Sequence, residues 1–259
     1  MVAAATLTRG GRTASICCMC GIVGLFLKNR ALDPSLGALL SPMLASMSDR
    51  GPDSAGFAVY GHDRAEDGSR MRLYKDVGPP AEVARRFGLE AMAGTHGIGH
   101  TRMATESAVT TKGAHPFSTG PDQCLVHNGS LSNHNAWRRR LVHDGQAFET
   151  DNDTEVAAAY LTWRMKQGAS LGAALQAALA DLDGFFTFVV GTDQGFGVLR
   201  DPIACKPAVL AETDDWVAFG SEYRALVDLP GIEAARVWEP EPATVYFWER
   251  ATLTEHPPA

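Results

Sequence analysis

The spacing of apolar and polar positions predicts the first elements of this chain. An unbroken apolar run over Gly21–Leu27 predicts a buried strand. Apolar residues at helical spacing predict one amphipathic helix from Leu36 to about Asp49. The segment Arg50–Gly56 has turn chemistry and leads into a strand at Phe57–Tyr60, after which polar Gly61–Arg70 is expected to be an exposed loop.

The remaining pattern predicts helices between two groups of strands. Buried strands are expected at Thr95–His100 and Gln123–His127, separated by a long polar loop of the kind that is usually functional. Two helices follow, over Val156–Trp163 and Leu171–Leu182. The last strands are expected at Phe185–Thr192, Gly197–Arg200, Ala208–Glu212, Trp216–Gly220 and Ala243–Trp248. This order favours an α+β domain in which two sheets pack face to face under helices.

Composition narrows the classes of partner. The 259 residues carry a formal net charge of -7, which argues against nucleic acid or an anionic membrane as the main partner. No run of 18 apolar residues occurs, so no transmembrane helix is expected. The five cysteines are odd in number, and three crowd together near the start, which does not indicate a disulfide framework. A reducing cytoplasm fits this usage best.

Cys20 is the first candidate for chemistry. It opens the first predicted strand, and Gly21 after it leaves its sulfur room to face a cleft. If Met19 and everything before it are removed, Cys20 carries both a thiol and a free α-amine. The amine has an ordinary pKa of about 8 and can serve as a base near neutral pH. One residue then supplies nucleophile and base; the alternative is a buried structural cysteine.

Arg102 ends a predicted strand within the segment HTRMAT, which begins at His100. Its planar guanidinium suits a bidentate carboxylate such as that of an amino acid. Thr105 could add a hydroxyl donor. The alternative for Arg102 is a surface ion pair.

Asn128 and Gly129 follow the next predicted strand in the segment VHNGS. A side-chain amide and a bare backbone N–H at one point could form an oxyanion hole. The alternative is a hairpin turn, because Asn-Gly is the commonest two-residue hairpin loop.

Asp153 lies in the segment TDNDTE, which opens a predicted helix. Asn152 as the cap and Glu155 three residues later form an ordinary helix start. In a functional interpretation, Asp153 also pairs with the ammonium group of an α-amino acid.

Five ordered segments together resemble the class II glutamine amidotransferases: CGIVG at Cys20, RGPDSAG at Arg50, HTRMAT at His100, VHNG at Val126 and DTE at Asp153. The resemblance extends from Cys20 to the last predicted strand. It implies an N-terminal-nucleophile hydrolase with a four-layer αββα fold.

The resemblance also implies a role for each matching residue. Cys20 would attack the side-chain amide of glutamine, with Asn128 and Gly129 holding the oxyanion. Arg102, with Thr105, would bind the α-carboxylate, and Asp153 the α-amino group. Arg50 is similar to the arginine that supports the N-terminal region in this family, and His100 is assigned a supporting role. A thioester, release of ammonia and hydrolysis to glutamate would follow.

Two features point to one branch of the family. Met103 and Glu106 stand where hexosamine-forming members carry an aromatic residue and a histidine, which argues against that branch. The segment HTRMATESAVTTKGAHPFST most resembles the stand-alone amidotransferase subunits of glutamate-synthase-like complexes, including N-methylglutamate synthase. The resemblance implies a hetero-complex with a separate synthase subunit that carries FMN. This chain itself is expected to bind no cofactor and no metal, and to lack an acceptor-substrate domain.

Residues 1–19 are interpreted as an extension or propeptide, or as the result of an overlong start, and residues 20–259 as the amidotransferase domain. The apolar run near the start is too short and too broken for a secretory signal. Two other hypotheses remain open. Cys17, Cys18 and Cys20 could contribute to a metal site, although adjacent cysteines fit tetrahedral zinc poorly. A chain that keeps residues 1–19 would have no free amine and could be a non-catalytic glutamine-binding or scaffolding subunit.

Overall fold

The structure is a computed structural model, and it describes residues 20–61, 69–103, 109–120 and 122–250. The strands in chain order are β1 (Gly21–Leu27), β2 (Ser54–Tyr60), β3 (Met71–Val77), β4 (His96–Arg102), β5 (Phe117–Gly120), β6 (Gln123–Leu131), β7 (Gly184–Thr192), β8 (Gly195–Arg200), β9 (Val209–Glu212), β10 (Trp216–Gly220), β11 (Arg236–Trp238) and β12 (Thr244–Glu249). The helices are α1 (Leu36–Ser46), α2 (Pro80–Arg86), α3 (His134–His143), α4 (Asp153–Lys166) and α5 (Leu171–Asp181).

The strands form two antiparallel sheets. The first has the order β11-β9-β10-β1-β4-β2-β3, and the second has the order β12-β8-β7-β6-β5. Three apolar layers hold the assembly together. Ile22 and Val126 belong to the layer between the sheets. Leu25 and Leu44 belong to the layer under α1 and α2, and Phe188 belongs to the layer under α3, α4 and α5. The predicted α+β class and four-layer αββα arrangement are confirmed.

β1 is buried along all seven residues because both of its faces are covered. Ile22 and Phe26 point into the layer between the sheets, whereas Val23, Leu25 and Leu27 pack against the helical layer. This explains why the sequence of β1 is an unbroken apolar run rather than an alternating one.

The order of strands in the first sheet brings three strand ends together. β4 and β10 flank β1 and run antiparallel to it, and Gly21 pairs with Thr101 of β4. The carboxyl ends of β4 and β10 therefore lie beside the start of β1. As a result, Cys20, Arg102 and Ser221 lie at one edge of the sandwich.

Several predicted strands are longer in the structure. β2 begins at Ser54, inside the segment that was predicted as a turn, and β4 continues to Arg102. β6 continues through Asn128 and Gly129 to Leu131. These extensions carry polar residues and glycine, so the apolar pattern placed the strand ends too early.

Five elements have no counterpart in the apolar pattern: β3, α2, β5, α3 and β11. β3 is an edge strand with half-exposed side chains, and α3 buries only Trp137 and Leu141 among ten mostly polar residues. Of the predicted loop at 61–70, residues 62–68 lie outside the described part of the chain.

Candidate active site

The backbone of Cys20 is held by side chains from both sheets. Its carbonyl oxygen accepts hydrogen bonds from Arg50 Nε at 3.2 Å and from Asn128 Nδ2 at 2.8 Å. The next backbone N–H, that of Gly21, donates to Thr101 Oγ1 at 3.2 Å. The start of β1 is thus fixed by groups that are distant in sequence.

The thiol of Cys20 is half-buried at the edge of the sandwich, and its Sγ lies 3.9 Å from the carbonyl oxygen of Met103. Burial raises the pKa of this thiol above its ordinary value. The contact with the Met103 carbonyl and the positive charges of Arg102 and Lys206 lower this pKa, but by less than burial raises it. The thiol form therefore predominates near neutral pH, and a base is needed to generate the nucleophilic thiolate.

Arg50 is almost completely buried, and an acidic partner balances its charge. Its Nη1 forms an ion pair with Glu222, which also accepts from Arg224 Nε at 2.7 Å. A buried guanidinium without such a partner would be strongly destabilising. The predicted supporting residue thus lies directly against the backbone of Cys20.

Asn128 and Gly129 lie inside β6, so the alternative of a hairpin turn is wrong. Asn128 is 4% exposed and donates to Ser221 Oγ at 3.3 Å, in addition to its bond with Cys20. Gly129 has a φ of +137°, and a Cβ placed on it would lie 1.9 Å from the Phe185 carbonyl oxygen. Only glycine fits this position, beside the backbone of β7.

A cavity of about 530 Å³ opens beside Arg102, whose charge acts on the Cys20 thiol. Its lining consists of Arg102, Thr110, Gly113, His134, Thr150, Asp151, Asn152 and Asp153. Cys20 is not part of this lining, but Met103, which contacts its sulfur, follows Arg102 directly. Arg102 is only 8% exposed, so the alternative of a surface ion pair is wrong.

Asp153 combines a structural contact with access to the cavity. Its Oδ2 accepts from the backbone N–H of Leu131 at 2.9 Å, and its Oδ1 lies 3.7 Å from His127 Nδ1. The predicted cap is also present, since Asn152 Oδ1 accepts from Thr154 N at 2.9 Å. The cavity therefore presents a guanidinium from β4 and a carboxylate from the start of α4.

Glu155 does not complete a capping box. Its two oxygens accept from the backbone N–H groups of Glu149 and Thr150, each at 2.8 Å, and thereby hold the segment that carries Thr150 and Asp151 at the cavity wall.

His100 lies one layer below the site. It is fully buried, and its Nε2 lies 3.1 Å from the carbonyl oxygen of His127. Burial lowers the pKa of His100 to about 3, so its ring is neutral near neutral pH.

Thr105, predicted to assist Arg102, lies outside the described residues, as do Glu106 and Met19. The family resemblance also covers Gly220-Ser221-Glu222, but no role was predicted for Ser221 or Glu222. In the structure, Ser221 Oγ accepts from the backbone N–H of Ile22 in β1 at 2.9 Å, and Glu222 pairs with Arg50. These contacts join segments that are distant in sequence.

Two kinds of feature are absent from the described ranges. Within them, no group of three or more His, Cys, Asp or Glu side chains could hold a metal ion. None of the helices that they contain is long and apolar enough to cross a membrane.

Known proteins with similar sequences share this architecture. Residues 100–228 match a family model described as a glutamine amidotransferase domain. The glutamine amidotransferase-like protein GlxB of Rhizobium meliloti is 57% identical over 89% of this chain and 98% of its own length. The amidophosphoribosyltransferase of Archaeoglobus fulgidus is 30% identical over 88% of this chain and 48% of its own length.

The solved structures give the same fold. The glutamine phosphoribosylpyrophosphate amidotransferase of B. subtilis superimposes with a TM-score of 0.72 at 23% identity, over 89% of this chain and 47% of that chain. The two stacked sheets between helical layers have the fold of the N-terminal-nucleophile hydrolase type. The chain belongs to the class II glutamine amidotransferases. The predicted family and enzyme class are confirmed.

Gly129→Ala should lower the free energy of unfolding by about 3 kcal/mol or more. The reason is that the cost of a positive φ in alanine adds to the cost of a clash with the Phe185 carbonyl. Gly145→Ala is the matched control, since Gly145 also has a positive φ, of +87°, but nothing lies within 4 Å of its added Cβ. This control should lose about 1–2 kcal/mol. Urea unfolding of both variants measures the difference; equal losses would contradict the predicted clash.

Proposed function

We propose that this protein hydrolyses the side-chain amide of glutamine to glutamate and ammonia through a thioester on Cys20. The observation that carries the proposal is the position of Cys20 beside a cavity that presents opposite charges. The cavity lies within the usual range of small-molecule sites, about 300–1,000 Å³.

The charges of the cavity suit the two ends of a free amino acid. The guanidinium of Arg102 can bind an α-carboxylate through two parallel hydrogen bonds. Asp153 can bind an α-ammonium group through the oxygen that Leu131 does not occupy. With both ends held, the side chain of glutamine would extend toward Cys20. Thr105, two residues after Met103, is proposed to add a hydroxyl donor to the carboxylate.

The chemistry depends on a free α-amine at Cys20. We infer that the mature chain begins there, so that the amine takes the thiol proton while Sγ attacks the amide carbon. The amine then returns the proton to the departing nitrogen, the C–N bond breaks, and ammonia leaves. Water, deprotonated by the same amine, cleaves the thioester to glutamate and the thiol. The raised pKa of the buried thiol supports the need for such a base.

Asn128 and Gly129 are proposed to hold the oxyanion. Both N–H bonds of the Asn128 amide have acceptors, the carbonyl of Cys20 at 2.8 Å and Ser221 Oγ at 3.3 Å. The longer bond is the one that a developing oxyanion can replace. Arg50 and Glu222 would meanwhile hold the Cys20 carbonyl in place.

We further propose that the ammonia passes to a separate synthase subunit of the glutamate-synthase-like or N-methylglutamate synthase type, which carries FMN. One support is the resemblance of residues 100–119 to amidotransferase subunits of such complexes. Another is that the 57% identical relative, matched over 98% of its length, is also named as a glutamine amidotransferase-like protein. A reducing cytoplasm suits a thiol nucleophile and the free Cys124 and Cys205.

Active protein should begin at Cys20, and Cys20→Ala should abolish glutamine hydrolysis. The control is Cys205→Ala, which changes an exposed cysteine and should keep full activity. Intact-mass measurement of active protein and a glutamate-release assay test both statements. Active protein whose terminus is Met1 would contradict the mechanism. Protein from the native host that keeps residues 1–19 and binds glutamine without turnover would favour the non-catalytic glutamine-binding or scaffolding alternative.

Substitutions in the cavity should separate binding from rate. Arg102→Ala and Asp153→Ala should chiefly raise KM, because they remove contacts to groups whose charge stays constant during the reaction. Asn128→Ala should chiefly lower kcat, on the order of 10²-fold or more, because it removes a donor to charge that develops in the transition state. Steady-state kinetics with L-glutamine measures both, and a normal kcat in Asn128→Ala would refute the oxyanion role.

Isolated protein should be colourless and should hydrolyse glutamine slowly, whereas the partner complex should hydrolyse it faster, because docking orders loops over the cavity. Affinity capture from the native host, followed by mass spectrometry and a flavin absorbance spectrum, tests the proposal. Full activity with no associated synthase subunit would make a plain glutaminase the better interpretation.

A further inference from the structure

Four buried polar side chains meet beneath the cavity, and each comes from a different segment. They are His100 of β4, His115 of the segment before β5, His127 of β6 and Thr154 of α4. Each is at most 6% exposed.

Thr154 is the centre of this cluster. Its Oγ1 lies 2.8 Å from His115 Nε2 and 2.9 Å from His127 Nδ1. The rings of His100 and His115 stack with centroids 3.9 Å apart and an interplanar angle of 23°. The Nε2 of His100 contacts the carbonyl oxygen of His127 at 3.1 Å. The four residues therefore form one continuous network.

The hydroxyl group of Thr154 has one proton, so it accepts from one imidazole and donates to the other. Asp153 Oδ1, 3.7 Å from His127 Nδ1, favours the proton on that nitrogen. Thr154 then accepts from His127 and donates to His115 Nε2. Burial lowers the pKa of all three histidines, so the rings are neutral and this direction of hydrogen bonds is maintained.

Every member of the cluster is close in sequence to a residue of the cavity or of the oxyanion site. His100 precedes Arg102 by two positions, and His115 follows Gly113 by two. His127 directly precedes Asn128, and Thr154 directly follows Asp153. A displacement within the cluster would therefore change the distances between the groups that are proposed to bind and activate glutamine.

We propose that His115, His127 and Thr154 are positioning residues, which act with His100 to fix Arg102, Asn128 and Asp153 relative to one another. The proposal rests on the proposed function, since it assigns to the cluster the geometry of that same cavity. None of the four side chains has a described contact with Cys20, so the cluster acts through its neighbours rather than on the reacting atoms.

The deciding variant is Thr154→Val, which keeps the shape of the side chain and removes the hydroxyl group. Misplacement of reacting groups by about 1 Å can cost on the order of 10²-fold in rate. We expect kcat/KM for L-glutamine to fall at least ~10-fold, with kcat lowered and KM raised together. Thr154→Ser keeps the hydroxyl group and should stay within ~3-fold of the wild type.

Thr162→Val is the matched control. Thr162 lies in the same helix, is equally buried, and its hydroxyl group also joins two other segments, through Thr119 at 2.8 Å and Gln123 at 3.4 Å. It lies two turns further from the cavity. Thr162→Val should lose about as much thermal stability as Thr154→Val, but it should keep wild-type kinetics.

A second pair covers the case in which Thr154→Val does not fold. His115→Gln can place an amide near the position of Nε2 and retain the bond to Thr154, whereas His115→Leu cannot. The kcat/KM of His115→Leu should fall as it does in Thr154→Val. The kcat/KM of His115→Gln should stay close to that of the wild type.

Binding is measured separately by calorimetry with L-glutamine and the full chain carrying Cys20→Ala, with and without Thr154→Val. Affinity should fall at least ~10-fold in the double variant. Wild-type kinetics in Thr154→Val, or an equal loss in Thr162→Val, would overturn the inference. If the wild-type protein binds L-glutamine without hydrolysing it, the proposed function fails, and the calorimetric comparison still decides the role of Thr154.

Discussion

The carbonyl oxygen of Cys20 is the point on which the geometry of the site depends. Arg50, in the turn between α1 and β2, and Asn128, in β6, both donate to it. A strand end normally leaves its last backbone groups to water, and here two buried donors replace that water. Because Glu222 balances the charge of Arg50, the arrangement can be buried without an uncompensated cation. The position of the sulfur is consequently set by the fold rather than by a flexible terminus.

The two sheets contribute differently to the site. The first sheet supplies the start of β1 and the ends of β4 and β10, which are adjacent because neighbouring strands are antiparallel. The second sheet supplies Asn128 and Gly129 from inside β6, where Gly129 passes close to the backbone of β7. Apolar layers on both sides keep the sheets in a fixed relation, so Asn128 and Gly129 are held in a fixed position relative to the Cys20 thiol.

Sequence patterns predicted the layers well and the boundaries less well, for identifiable reasons. β1 and β10 are continuous apolar runs buried on both faces, so their bounds were predicted correctly. The ends of β4 and β6 carry Arg102 and Asn128, which a hydrophobic pattern assigns to loops. β3 and α3 are half-exposed and polar, so their sequences show no clear periodicity of apolar residues. Single motifs marked Cys20, Arg102, Asn128 and Asp153 as candidates, but the contacts of Ser221 and Thr154 depend on tertiary proximity, which no local pattern shows.

The burial of the site supports the proposed mechanism, in which the base belongs to the same residue as the thiol. Three imidazole rings lie close by, those of His100, His115 and His127. Burial keeps these rings neutral, and each forms a hydrogen bond within the protein. Among these rings, His100 has a pKa lowered to about 3, far below the value that suits proton transfer near neutral pH. The positive charges of Arg102 and Lys206 stabilise a thiolate but do not supply a base. An α-amine on Cys20 would have an ordinary pKa close to neutral and would lie on the same residue as the thiol. In the proposed mechanism, the same burial that orders the site therefore makes the thiol dependent on a free amine at Cys20.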